Sequence, residues 1–225
     1  MATGLVLGLL VLPAQGAEVR LGGIVPGAGV ITKKVLSMRE ARYVEIVPQQ
    51  LDFSCGAAAV ATILTYAYGK ETTEAEVLRQ MLAIADEETV KRLGFSLLDI
   101  KHYVESIGMQ GVGFRVPPEN LEKIKLPTIV LLDIKGYKHF AVMKMVRDDK
   151  VYVADPALGN KVMRKEDFLA WWNGIVFAVV GEGYDQETIL RRPREPVSAR
   201  KLLGQRAPFL PAKLLDFGYL HADMF

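Results

Sequence analysis

The sequence holds one cysteine, three histidines and two tryptophans, and each scarcity excludes something. A single cysteine forbids an internal disulfide and cannot build a thiolate zinc site. No two histidines stand at metal-ligand spacing, so neither a metal centre nor any other cofactor is expected. Lysine and arginine total 28 against 26 acidic residues, and no basic stripe stands out over the first 180 positions. A nucleic-acid partner is therefore not expected. No Gly-rich phosphate loop of the Walker type occurs, and there is neither an internal repeat nor a low-complexity tract. The one apolar run near the start, Leu5 to Leu12, is far short of the roughly 18 residues that a membrane-crossing helix needs.

Half of the residues are hydrophobic, the composition of an ordinary globular chain. The apolar run is followed by Pro13-Ala14-Gln15-Gly16-Ala17, and small residues at Ala14 and Gly16 fit a signal-peptidase cut before Ala17. Residues 1–17 thus read as a signal peptide, with export to the periplasm and no stable membrane span after cleavage. The run lacks a preceding Lys or Arg, and a buried N-terminal strand or helix is the competing reading. In an exported chain a lone thiol is open to oxidation. Either burial or catalysis must account for Cys55. The rest divides into 18–47, an extension of short strands and turns, a main domain over 48–183, and a tail over 184–225 that contains the charged, proline-broken linker Arg191-Arg192-Pro193-Arg194-Glu195-Pro196.

Tyr43 to Val47 alternates like a strand and Pro48 stops it. Cys55 to Tyr68 is an Ala-rich helix, apolar almost all round and so buried, with Gly69 at its C-terminal stop. Thr73 and Glu76 form a capping box for a helix that runs to about Ala85, and Ser96 with Asp99 opens another that ends near Gly108. The second half changes period. Strands are expected over 111–116, 128–134, 140–146, 151–154 and 175–180, with tight turns at Lys135-Gly136-Tyr137-Lys138 and Asp148-Asp149-Lys150. A short helix or turn falls within 118–125 and a short helix over 165–172. Helices first and an antiparallel meander second give an α+β fold.

Three residues and one amide carry candidate chemistry. Cys55 begins a helix, where unpaired N–H groups and the macrodipole favour a thiolate, the attacking species; equally, it could be a small core residue. Gln49, six positions earlier, can aim an amide at the same point as the Cys55 N–H and form a two-donor oxyanion hole, although Gln49 and Gln50 could both be solvated. His139 stands at a strand start, suited to general-base work or to capping backbone groups. Asp155 ends the paired strand and Pro156 holds it extended, so it could orient an imidazole or simply make an Asp-Pro turn. His102 and His221 read as a surface helix residue and a solvated tail residue. The order Gln, Cys, His, Asp favours the catalytic reading of all four together.

These residues resemble a known family. Gln49-Gln50-Leu51-Asp52-Phe53-Ser54-Cys55-Gly56-Ala57-Ala58, Lys138-His139-Phe140-Ala141-Val142 and Ala154-Asp155-Pro156-Ala157-Leu158-Gly159 look like the three motifs of C39 peptidases, over roughly residues 43–181. The resemblance implies a papain-like cysteine peptidase fold with helices packed on an antiparallel sheet. It also implies Cys55 as nucleophile, His139 as base, Asp155 as orienter and Gln49 in the oxyanion hole, with a polypeptide substrate. Ser54 stands where transporter-fused members carry Asp. Stand-alone exported members, including those encoded with functional-amyloid (Fap) secretion systems, are the nearer likeness, which implies partners in an amyloid or peptide export system. The competing functions are a non-catalytic peptide-binding module or chaperone of such a system, and another acyl transferase on the same scaffold, such as a transglutaminase or amidase.

Overall fold

The computed structural model describes residues 17–21 and 31–192. The expected signal peptide, apart from Ala17, and the tail from Pro193 onward lie outside them. The chain divides into two units, residues 1–41 and 42–225. In the first, β1 (Ala17–Leu21) and β2 (Ile31–Val35) pair as an antiparallel two-stranded sheet, Ala17 opposite Val35. A one-turn helix, α1 (Met38–Arg42), follows, its start closed by reciprocal bonds between Ser37 and Glu40.

The second unit begins with a departure from expectation. Tyr43 to Val47 forms no strand. Glu45 takes a left-handed φ of 64°, which breaks extended pairing, and the segment's backbone groups bond within a local turn, Ile46 N–H to the Tyr43 carbonyl at 3.1 Å, and to side chains. The Asn160 amide donates to the carbonyls of Arg42 and Val44, and the Val47 N–H donates to Thr62 Oγ1 at 3.0 Å.

The central helix is α2 (Cys55–Tyr68), with nearly every residue buried. Alanines at 57, 58, 59, 61 and 67 let it lie close to its neighbours on all sides, and Gly69 in the left-handed region (φ 64°) ends it. Both capping boxes form: Thr73 with Glu76 opens α3 (Glu74–Leu82), and Ser96 with Asp99 opens α5 (Leu97–Ser106). Between them lies α4 (Glu87–Leu93), one helix more than the apolar periodicity indicates. It carries a single buried side chain, Val90, and starts at the Asp86 cap.

The sheet has six strands in the order β3-β8-β4-β5-β6-β7, all pairs antiparallel: β3 (Gln110–Arg115), β4 (Thr128–Ile134), β5 (Tyr137–Arg147), β6 (Lys150–Asp155), β7 (Gly159–Arg164) and β8 (Trp172–Val180). Strand β7 is a sixth strand beyond the five expected in the second half, and continues the meander past β6. Strand β8, following α6 (Lys165–Trp171), returns to lie between β3 and β4. The two hairpin turns are those foreseen, with left-handed φ at Lys135 and Gly136 and at Asp148 and Asp149, the backbone a type I′ turn requires. One sheet face packs on α2 and α5 through Phe140, Val142 and Phe177, and α3 packs in turn on those two helices. The other packs on Phe168, Trp172 and Leu121. The fold is therefore α+β, with helices on an antiparallel sheet, and it delivers the start of α2 to the ends of β5 and β6.

Candidate active site

Cys55 is the first residue of α2 and is 5% exposed. The loop before it is held by Ser54, whose hydroxyl donates to the Leu51 carbonyl at 2.7 Å and accepts from the Leu51 N–H at 3.2 Å. Ser54 thus closes the turn that feeds the helix rather than capping it. The thiol meets β5 directly: the Phe140 N–H donates to Cys55 Sγ at 3.5 Å. Gly56 allows this approach, since a Cβ there would press on Ile100 and Phe140 side chains at 3.3 Å.

His139 precedes Phe140 and is 3% exposed. Its Nε2 lies 2.8 Å from Asp155 Oδ1, and Nδ1 is buried without a hydrogen-bond partner. The register explains the pairing. Val142 stands opposite Ala154, so Asp155 falls one step on, opposite Ala141, and His139 is its diagonal neighbour on the same face. Burial alone would lower the imidazole's pKa. The hydrogen bond to Asp155, the thiol of Cys55 and the charges of both outweigh it and raise the value to about 9. Burial would raise the Asp155 carboxyl, but the hydrogen bond and charge of His139, the Lys161 ammonium and the Ala157 N–H hold it below the usual carboxylate range.

Asp155 itself is fixed from several sides. Oδ1 also accepts the N–H groups of Ala157 at 2.9 Å and Leu158 at 3.1 Å. The turn it opens is tied to the start of the unit, because the Tyr43 hydroxyl donates to the Ala157 carbonyl and the Gln49 N–H donates to the Pro156 carbonyl at 2.9 Å. The Gln49 side chain is anchored through Nε2 to the Leu51 carbonyl at 3.1 Å, while Oε1 is buried and unpartnered. The Gln49 amide is thereby held to the loop that leads into α2. His102 sits on α5, away from this cluster, and His221 lies outside the described residues.

The sequence reading missed three features of the site. Tyr137 stacks on His139, with ring centroids 6.1 Å apart and planes 23° from parallel, and its hydroxyl donates to the Asp52 carbonyl at 3.1 Å. Burial, then the charges of Cys55, Asp52 and Asp155, push that hydroxyl's pKa up, so it stays a donor. Lys161, on the unforeseen strand β7, places its ammonium 3.6 Å from Asp155 Oδ2. Helix α4, also unforeseen, forms a wall of a cleft of about 440 Å³ that Cys55 lines together with Leu93, Phe95, Leu97, Leu131 and Lys138. No group of side chains able to hold a metal ion occurs among the described residues, and none of their helices is long and apolar enough to cross a membrane.

Residues 43–182 match the model of the peptidase C39 family. Two relatives named as probable functional amyloid protease FapD are each 47% identical. The one from Pseudomonas fluorescens aligns over 100% of this chain and 99% of its own length, and the one from Pseudomonas aeruginosa over 98% and 99%. Among solved structures, a double glycine motif protease from an AMS/PCAT transporter, in complex with the leader peptide, is 27% identical with a TM-score of 0.52, covering 60% of this chain and 89% of that one. The peptidase domain of Streptococcus ComA is 20% identical with a TM-score of 0.53 over 61% of this chain and 98% of its own, a likeness of fold. The chain belongs to the peptidase C39 family and is a cysteine peptidase with that family's papain-like α+β fold.

Proposed function

We propose that Cys55, His139 and Asp155 form the catalytic triad of this peptidase, with the Gln49 amide and the Cys55 N–H as its oxyanion hole. The observation that carries this reading is the 2.8 Å bond between Asp155 Oδ1 and His139 Nε2, which leaves the buried Nδ1 without a hydrogen-bond partner next to a strand residue, Phe140, whose N–H meets the thiol at 3.5 Å. Asp155 fixes the ring and favours its protonated form. The Cys55 thiolate attacks the scissile carbonyl, and two N–H donors receive the charge that develops on its oxygen. His139 gives its proton to the departing amine, leaving an acyl thioester. The now neutral imidazole takes a proton from water, whose oxygen displaces the thiolate and releases the acid.

The substrate is a polypeptide bound in the cleft beside α4 and, by the likeness to the FapD proteases, one exported by an amyloid or peptide secretion system. The apolar run at Leu5–Leu12 followed by Ala14 and Gly16 supports export of this chain itself, to the periplasm. The test is acylation by a small activated peptide ester, read by intact mass. The proposal expects one acyl group on Cys55 that then turns over, with Cys55→Ala inert and His139→Ala slowed by roughly a thousandfold. Acylation at another residue, or turnover unchanged without His139, would contradict it.

A further inference from the structure

The triad carboxylate has two oxygens in different surroundings. Oδ1 is saturated, accepting from His139 Nε2 and from the N–H groups of Ala157 and Leu158. Oδ2 faces the ammonium of Lys161 at 3.6 Å. The sheet makes this placement specific. Val153 pairs with Lys161, so Lys161 is the diagonal neighbour of Asp155 across β6 and β7, as His139 is across β5 and β6. Three charged or chargeable side chains thus run in a row over three adjacent strands, with the carboxylate in the middle. The Asp155 side chain is 2% exposed, and the lysine side chain is 31% exposed and reaches in from the edge strand.

We propose that Lys161 is a positioning residue of the active site, which locks the Asp155 carboxylate with Oδ1 toward His139 and offsets part of its charge, so that the imidazolium remains able to surrender its proton to the leaving amine. This inference rests on the triad reading above. The physical need follows from burial. A full negative charge bonded to an imidazole in a dry site would hold the imidazolium too tightly for general-acid work, since efficient proton transfer wants a donor poised near the working pH. A cation on the far oxygen weakens that hold without breaking the bond.

Among the described residues, the groups that face the carboxylate are few. They are His139 from β5, Lys161 from β7, and the two backbone N–H groups of its own turn. Tyr137 stacks over the imidazole, Cys55 acts on the ring from α2, and Asp52 bonds Tyr137 through its carbonyl. Lys144, Glu45 and Asn160 are engaged with one another nearby. A lysine on an edge strand also blocks edge-to-edge pairing, but that role alone would leave the titration of His139 untouched.

The experiment is a direct titration of the His139 ring by NMR, assigned by the signal lost in His139→Ala, in the intact chain and in Lys161→Met, Lys161→Arg and Asp155→Asn. The proposal expects Lys161→Met to move the midpoint up by roughly half a pH unit or more. Asp155→Asn should move it down, and Lys161→Arg should leave it where it was. Because loosening of the site would lower the midpoint toward that of free histidine, an upward movement separates charge from structural damage. A midpoint already high in the intact chain but unchanged in Lys161→Met overturns the role of Lys161 alone. A midpoint near that of free histidine in the intact chain, unaffected by Asp155→Asn, overturns the triad reading itself.

Discussion

At the scale of single residues, two side chains of the candidate site, those of Gln49 and His139, each keep one buried polar atom without a hydrogen-bond partner. Gln49 keeps Oε1 buried and unpartnered and has one N–H tied to Leu51, so its second N–H has a fixed direction. Replacing it with Ala should leave Cys55 reactive toward small alkylating agents while lowering kcat about 10² to 10³-fold, the usual loss of one oxyanion donor. Equal losses in both assays would show instead that Gln49 supports the loop. Thr62 makes a different kind of bond. Its hydroxyl accepts from Val47 N–H and donates to the Ala58 carbonyl at 2.8 Å, inside the helix that starts at Cys55. Thr62→Val keeps the shape but strands the Val47 N–H, and urea denaturation should register a loss of about 1–3 kcal/mol.

Among the elements, the turn from β6 to β7 has the heaviest duty, since it carries Asp155 and bonds back to Tyr43 and Gln49. Gly159 closes it with φ +86°, and a Cβ there would come within 2.7 Å of the Arg42 carbonyl oxygen. Gly159→Ala must therefore both strain the backbone and displace main chain, for an expected cost of roughly 2 kcal/mol or more. It should also bring a loss of activity out of proportion to that at a remote glycine such as Gly69, where a Cβ meets nothing. The same turn marks how far the elements were legible in the sequence. Helices with capping boxes and strands joined by two-residue turns were readable because their signals are local. Strand β7 was not, since Gly159 to Arg164 has neither a continuous apolar run nor a clean alternation, and its pairing with β6 is what makes it a strand. Segment 43–47 failed the other way. It alternates like a strand, yet a buried Asn and Thr take its backbone groups. The four motif residues of the candidate site stand at a spacing visible in the sequence, but Tyr137 and Lys161 come near them through a hairpin and a register that the sequence does not display.

Over the whole molecule, the buried pair links folding to pH. In the folded chain His139 is raised to about 9, above its unfolded value, so its protonation stabilises the fold. That contribution is complete below about 6.5 and is lost as pH rises through about 9. Asp155 is depressed in the folded state, so its share is present above its unfolded value near 4 and is lost as pH falls below it. Stability measured by denaturant should therefore decline between about pH 6.5 and 9.5, and His139→Gln should flatten that decline. An equally steep decline in the variant would place its origin elsewhere. The two faces of the sheet are each covered by their own apolar cluster, and the pair sits where β5 begins and β6 ends.

The pH dependence of Cys55 alkylation by iodoacetamide, in the intact chain and in His139→Ala, tests the central claim most directly, because the single cysteine reports on one site. A thiolate held by the imidazolium predicts rapid labelling of Cys55 that slows in the variant over the range in which His139 stays protonated, up to about pH 9. Slow labelling with an ordinary profile in both proteins would contradict the account and leave a buried cysteine with no catalytic partner.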